Sequence, residues 1–113
     1  MARVVAFVPD LLFGSSVQAA LSAAGHDVEL VGELDAEVRA DVLVVDLTAD
    51  AQARIQRARA VSAGGVPTLA FYAHVETDVR RLADQAGFEL VVPRSRMARE
   101  PAKLVTKLVS NMA

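Results

Sequence analysis

The run Asp41-Val42-Leu43-Val44-Val45-Asp46-Leu47-Thr48 constrains the fold of this chain more than any other stretch. Four consecutive apolar residues, three of them β-branched valines, lead into a carboxylate. A short continuous apolar run suits a strand buried on both faces, the kind found at the centre of a parallel sheet covered by helices. In open α/β sheets the ligand or reactive group sits beyond the carboxyl ends of the strands. Asp46 falls at that end, so any chemistry of this sheet is expected there.

The rest of the chain repeats the pattern. Arg3 to Val8 reads as a first buried strand, ended by Pro9, which has no N–H to donate. Ser15 and Gln18 have capping-box spacing, which predicts a helix from Ser16 to Ala24 with Gly25 just past its end. Val28 to Val31 is a short second strand. The segment from Gly32 to Ala40 has room for about two helical turns, so its helix is expected to be short or irregular. Val42 to Leu47 is the third strand. Asp50 to Ser62 is expected to be helical, with Ile55, Ala58 and Val61 inward and Arg54, Arg57 and Arg59 pointing elsewhere. After the turn Gly64-Gly65-Val66-Pro67 come a fourth strand, Thr68 to Tyr72, and a helix capped by Glu76 or Thr77 and closed by Gly87. Phe88 to Val92 is the fifth strand, stopped by Pro93. Pro101 occupies a first helical position, and Leu104, Val105, Leu108, Val109 and Met112 form the stripe of a last helix. Five strands alternating with five helices predict a doubly wound α/β domain spanning residues 1–113, with right-handed crossovers.

Composition narrows the function. The chain is 53% hydrophobic and 23% charged, enough apolar material for a core and too much for a disordered segment. A net charge of −2 favours neither nucleic acid nor an anionic membrane surface. No cysteine is present, which excludes disulfides and thiolate chemistry. His26 and His74 alone cannot build a histidine-rich metal site. No run approaches the roughly 20 apolar residues of a membrane span, and the start lacks a signal-peptide core. The expected setting is soluble and cytoplasmic.

The ordered strands and helices, with Val44-Val45-Asp46-Leu47, Val66-Pro67-Thr68-Leu69-Ala70-Phe71-Tyr72-Ala73-His74 and Gln85-Ala86-Gly87-Phe88-Glu89-Leu90-Val91-Val92-Pro93-Arg94, resemble the receiver domain of bacterial response regulators. The resemblance covers nearly the whole chain. It implies the CheY-like, flavodoxin-like fold, a (βα)5 sheet of strand order 2-1-3-4-5. It also implies a set of site residues. Asp46 matches the phosphoacceptor. Asp10 stands at the acidic pair, where the other place is Pro9. The Thr48 carbonyl would complete a Mg²⁺ site with Asp10 and Asp46. Tyr72 stands where receivers carry a small hydroxyl residue, and Arg94 is the nearest match to their lysine. Val91 or a neighbour replaces the aromatic switch residue. One acid, the small hydroxyl and the lysine are therefore all altered. The resemblance implies a degenerate phosphorylation site, a pseudo-receiver, with Mg²⁺ and a histidine kinase as partners only if that site works.

Plainer roles compete with these. Asp46 and Asp10 would equally cap the loops that follow them, His74 would sit in solvent at the rim, His26 on plain surface, and Tyr72 at the core edge. Two surface features point to a protein partner. Residues 11–25 contain no charged residue, and charge depletion marks interface cores. Leu12, Phe13, Ser15, Ala19 and Ser22 are the expected contact residues there, for a partner or a second copy. Arg96 and Arg99, with Arg94, Lys103 and Lys107, form a basic stretch opposed only by Glu100. The expected function is a non-enzymatic, stand-alone signalling domain acting by protein contact. A working phosphoacceptor and a small-molecule-binding flavodoxin-like domain are the alternatives. The last has no glycine-rich phosphate loop to support it.

Overall fold

The structure is a computed structural model that describes residues 2–110. Met112, assigned above to the last helical stripe, lies outside the described residues. The chain runs β1 (Arg3–Phe7), α1 (Leu11–Ala23), β2 (Asp27–Val31), β3 (Val42–Asp46), α2 (Ala51–Ser62), β4 (Thr68–Tyr72), α3 (Thr77–Gln85), β5 (Leu90–Pro93), α4 (Arg94–Arg99) and α5 (Pro101–Ser110). All neighbouring strands pair in parallel, in the order β2-β1-β3-β4-β5. This is the doubly wound, flavodoxin-like architecture expected from the sequence.

Why β3 is central follows from its residues. All five are buried, and so are all five of β4, because each face of the sheet meets a helical layer. Val4, Ala6, Val42, Val44, Leu69 and Phe71 pack under α1, α4 and α5 with Leu21, Met97 and Leu104. Val5, Leu43, Val45, Ala70 and Tyr72 pack under α2 and α3 with Ile55, Ala58 and Ala83. At the β2 edge, Arg3 pairs with Asp27 at 3.5 Å and Glu29 at 2.9 Å.

Three expectations need correction. The first helix begins at Leu11 rather than Ser16, since Asp10 is its N-cap and accepts from Phe13 N–H at 3.1 Å. Ser15 therefore lies inside the helix, and Gln18 donates to the Val28 carbonyl at 3.3 Å instead of closing a capping box. Residues 32–41 form no helix. There Asp35 accepts from the Glu37 N–H at 2.9 Å, a local turn that competes with helical bonding, and Leu34 plugs the core layer with Val38 and Ala40 partly buried against it. The last helix starts at Pro101 as expected, but a further helix, α4, precedes it at residues 94–99, where no helix is expected from the sequence. Pro101 drives the preceding residue out of the helical region, and Glu100 has φ −142°, so α4 ends before α5 begins. The strands differ from expectation mainly at their ends: β5 runs Leu90–Pro93 rather than 88–92, and the Val92–Pro93 bond is trans.

Candidate functional site

Parallel strands bring their carboxyl ends to one edge of the sheet. Asp10 follows β1 there, Asp46 ends β3, Tyr72 ends β4, and Arg94 follows β5. Asp46 pairs in register with Phe71 and is 3% exposed. A buried carboxylate must find partners, because desolvating an unpaired charge is costly. Its Oδ1 accepts from the Thr48 backbone N–H at 2.8 Å and from the Thr48 hydroxyl. This is the turn that Asp makes with its own chain two residues on. Its Oδ2 lies 3.6 Å from Nη1 of Arg54, and the same Nη1 donates to the Asp46 carbonyl at 3.0 Å. The Arg54 guanidinium also lies 5.6 Å from the centroid of the Phe7 ring.

Sequence reasoning missed Arg54 by sending it away from the apolar side of its helix. Arg54 is in the first turn of α2, and long side chains on a helix lean toward its N-terminus. The reach of Arg54 is therefore back over the β3–α2 loop to the end of β3. An arginine one turn into the helix that follows a strand-end acid is the signal that could have found it. Asp50, between them, has a left-handed backbone with φ 47°, the only such non-glycine residue among those described.

The other candidates are dispersed. Asp10 is exposed and caps α1. Thr48 is engaged with Asp46. Tyr72 is buried in the layer beneath α2 and α3, so its ring belongs to the core. Arg94 stacks its guanidinium 4.1 Å above the Phe13 ring. Phe13 in turn packs on Phe71 at 5.1 Å between centroids and is 8% exposed, so it is a core residue rather than the surface contact expected of it. Leu12 is exposed, as are Ser15, Ala19, Ser22 and Arg99. Arg96 is tied to Glu100 at 2.7 Å. That hydrogen bond, before all else, holds the Glu100 carboxyl below its ordinary range. His74 is exposed, whereas His26 is half-buried and accepts from the Ala2 N–H at 3.2 Å, which corrects its reading as plain surface.

A Mg²⁺ ion needs near-octahedral oxygen ligands. Among the described residues no three acidic or histidine side chains converge as a metal cage. Asp10 is committed to its cap, and Asp46 already faces a guanidinium. That donor set fits Mg²⁺ poorly.

No family model matches the sequence, and comparison with curated proteins finds no match. Solved structures do match, at full length. The receiver domain of Francisella response regulator 1452 superposes with a TM-score of 0.81 at 14% identity, covering 100% of both chains. A response regulator receiver protein from Burkholderia phymatum gives 0.81 at 18% identity, covering 97% of this chain and 96% of that one. HP1043, an orphan response regulator of H. pylori, gives 0.75 at 12%, covering 95% of each. The chain therefore has the fold of CheY-like response regulator receiver domains.

Proposed function

We propose that this chain is a receiver-like signalling domain that acts by contact with a protein partner, and that its phosphorylation site is degenerate. One observation carries the reading: both carboxylate oxygens of Asp46 are engaged inside the protein, Oδ1 by Thr48 and Oδ2 by Arg54. A phosphoacceptor must offer a free oxygen to the donor beside a divalent cation. Here the neighbouring cation is a side chain. The absence of a small hydroxyl residue at Tyr72 and the stacking of Arg94 on Phe13 support the same reading. The domain is non-enzymatic on this view, needs no Mg²⁺ and works in the cytoplasm. Its contact surface is α1 with the basic stretch of α4 and α5.

The test is titration with Mg²⁺ and beryllofluoride, a phosphoryl mimic, followed by NMR amide shifts, with Asp46→Asn as control. Silence at millimolar Mg²⁺ is expected. Shifts at Asp46, Thr48 and Arg94 that vanish in Asp46→Asn would establish a working phosphoacceptor instead.

A further inference from the structure

Asp46 is not merely unavailable; it is balanced. Among the described residues, Arg54 is the only cation within ion-pair reach of it. The Asp46 side chain is 4% exposed and that of Arg54 14%, so water screens this pair little. Arginine brings its own fixed charge, so this balance does not depend on metal supply. The guanidinium is held at its base by the Phe7 ring and at its tip by the Asp46 carbonyl.

A cleft of about 300 Å³ opens beside Arg54, with Glu33, Asp50 and Arg57 among its walls. With the guanidinium removed, the Asp46 carboxylate would stand at this end of β3 without its ion-pair partner. An unbalanced buried carboxylate attracts a hard divalent ion, which takes oxygen ligands. With the guanidinium in place, such an ion must displace it or sit against a like charge in a poorly screened setting. We propose that Arg54 is the resident counter-ion of Asp46 and that its charge keeps divalent cations out of the end of β3. The inference rests on the reading of a degenerate site. It adds that one side chain, in the first turn of the helix that follows Asp46 and Thr48, closes it.

The experiment uses the full chain, labelled for NMR, and titrates Mn²⁺ as a paramagnetic probe against wild type, Arg54→Gln, Arg54→Lys and Arg54→Gln with Asp46→Asn. Arg54→Gln should lose the Asp46, Leu47 and Thr48 amide signals at a Mn²⁺ concentration about tenfold or more below that needed for wild type, as removal of a nearby like charge requires. Arg54→Lys, which keeps the charge, should behave as wild type. The double variant should lose the response. A folded Arg54→Gln that stays silent overturns the proposal, as does an Arg54→Lys that responds equally. Should Arg54→Gln fail to fold, the double variant decides. Recovery of its fold means that Arg54 balances the charge of Asp46, and no recovery means that Arg54 matters only for packing. A Mg²⁺–beryllofluoride response in wild type defeats the reading of a degenerate site itself. Silence in both wild type and folded Arg54→Gln defeats only the role of Arg54.

Discussion

Asp46 does two structural jobs with one carboxylate. It fixes the turn at Thr48 and it neutralises Arg54. Removing one member of a buried pair leaves the other charge unsolvated, which typically costs about 3 kcal/mol or more. Asp46→Ala should therefore lower stability by about 3 kcal/mol in urea unfolding. Asp46→Asn also leaves Arg54 unpaired but keeps an oxygen for the Thr48 N–H, so it should cost less than Asp46→Ala by about 1 kcal/mol, the worth of that hydrogen bond. A cost under about 1 kcal/mol for Asp46→Ala would mean that water already reaches the pair, as it does for surface pairs. The position of Asp46 was legible in the sequence, because four apolar residues before an acid define a buried strand and its end. Its partner was not. A helical wheel assigns Arg54 a direction from its Cα, whereas the long side chain runs back along the helix axis and over a loop.

At the scale of elements, the strands were legible because burial on both faces leaves unbroken apolar runs. The helices were less so, because local polar contacts set their ends. Asp10 starts α1 five residues before the Ser15–Gln18 pair would have, and Asp35 turns the chain where a helix had room. The early start carries Gly14 into the helix, facing the sheet. A Cβ there would meet the Val8 carbonyl oxygen at 3.0 Å and the Leu30 side chain at 3.5 Å. Backbone cannot step aside as a side-chain tip can. Gly14→Ala should thus destabilise by about 1 kcal/mol net, since overpacking of roughly 2 kcal/mol outweighs the gain of about 1 kcal/mol in helix propensity. Thermal unfolding reads this directly, and a rise in Tm would mean that α1 lifts from β1 freely. The α4–α5 junction makes a different prediction. The Arg96–Glu100 hydrogen bond lowers the folded pKa of Glu100. The stability it gives is present above the ordinary glutamate range and lost as pH falls through the lowered folded value. Wild type should exceed Glu100→Gln in stability at neutral pH, and the two should converge on acidification. A difference that persists at low pH would assign the effect to side-chain shape rather than charge.

Over the whole molecule, charge is segregated along the chain. Residues 27–50 carry eight carboxylates and one cation, Arg39, whereas residues 94–107 carry five cations and one acid, Glu100. Residues 11–25 carry none, and α1 packs beside α4 and α5. Uncharged helix and basic stretch are thus one surface, with Leu11 81% and Leu12 88% exposed at its rim. Leaving two leucines in water forgoes about 1.5 kcal/mol or more for each that a partner could bury. Leu12→Asp should cost the folded domain less than about 0.5 kcal/mol, because the side chain touches little within it, yet it should weaken any complex made through this face. Self-association is the form of that idea which needs no second protein. Ala19→Glu with Ser22→Lys places charges on the small, uncharged outer side of α1, where close approach by another backbone would bury them. Light scattering should then report association in wild type and its loss in the double variant, with urea unfolding unchanged. A wild type that stays monomeric at high concentration would transfer the role of this face to a different protein. In that case the exposed leucines and the unopposed cations specify an apolar and acidic partner surface, and Leu12→Asp with Arg99→Glu becomes the pair of substitutions that should release it.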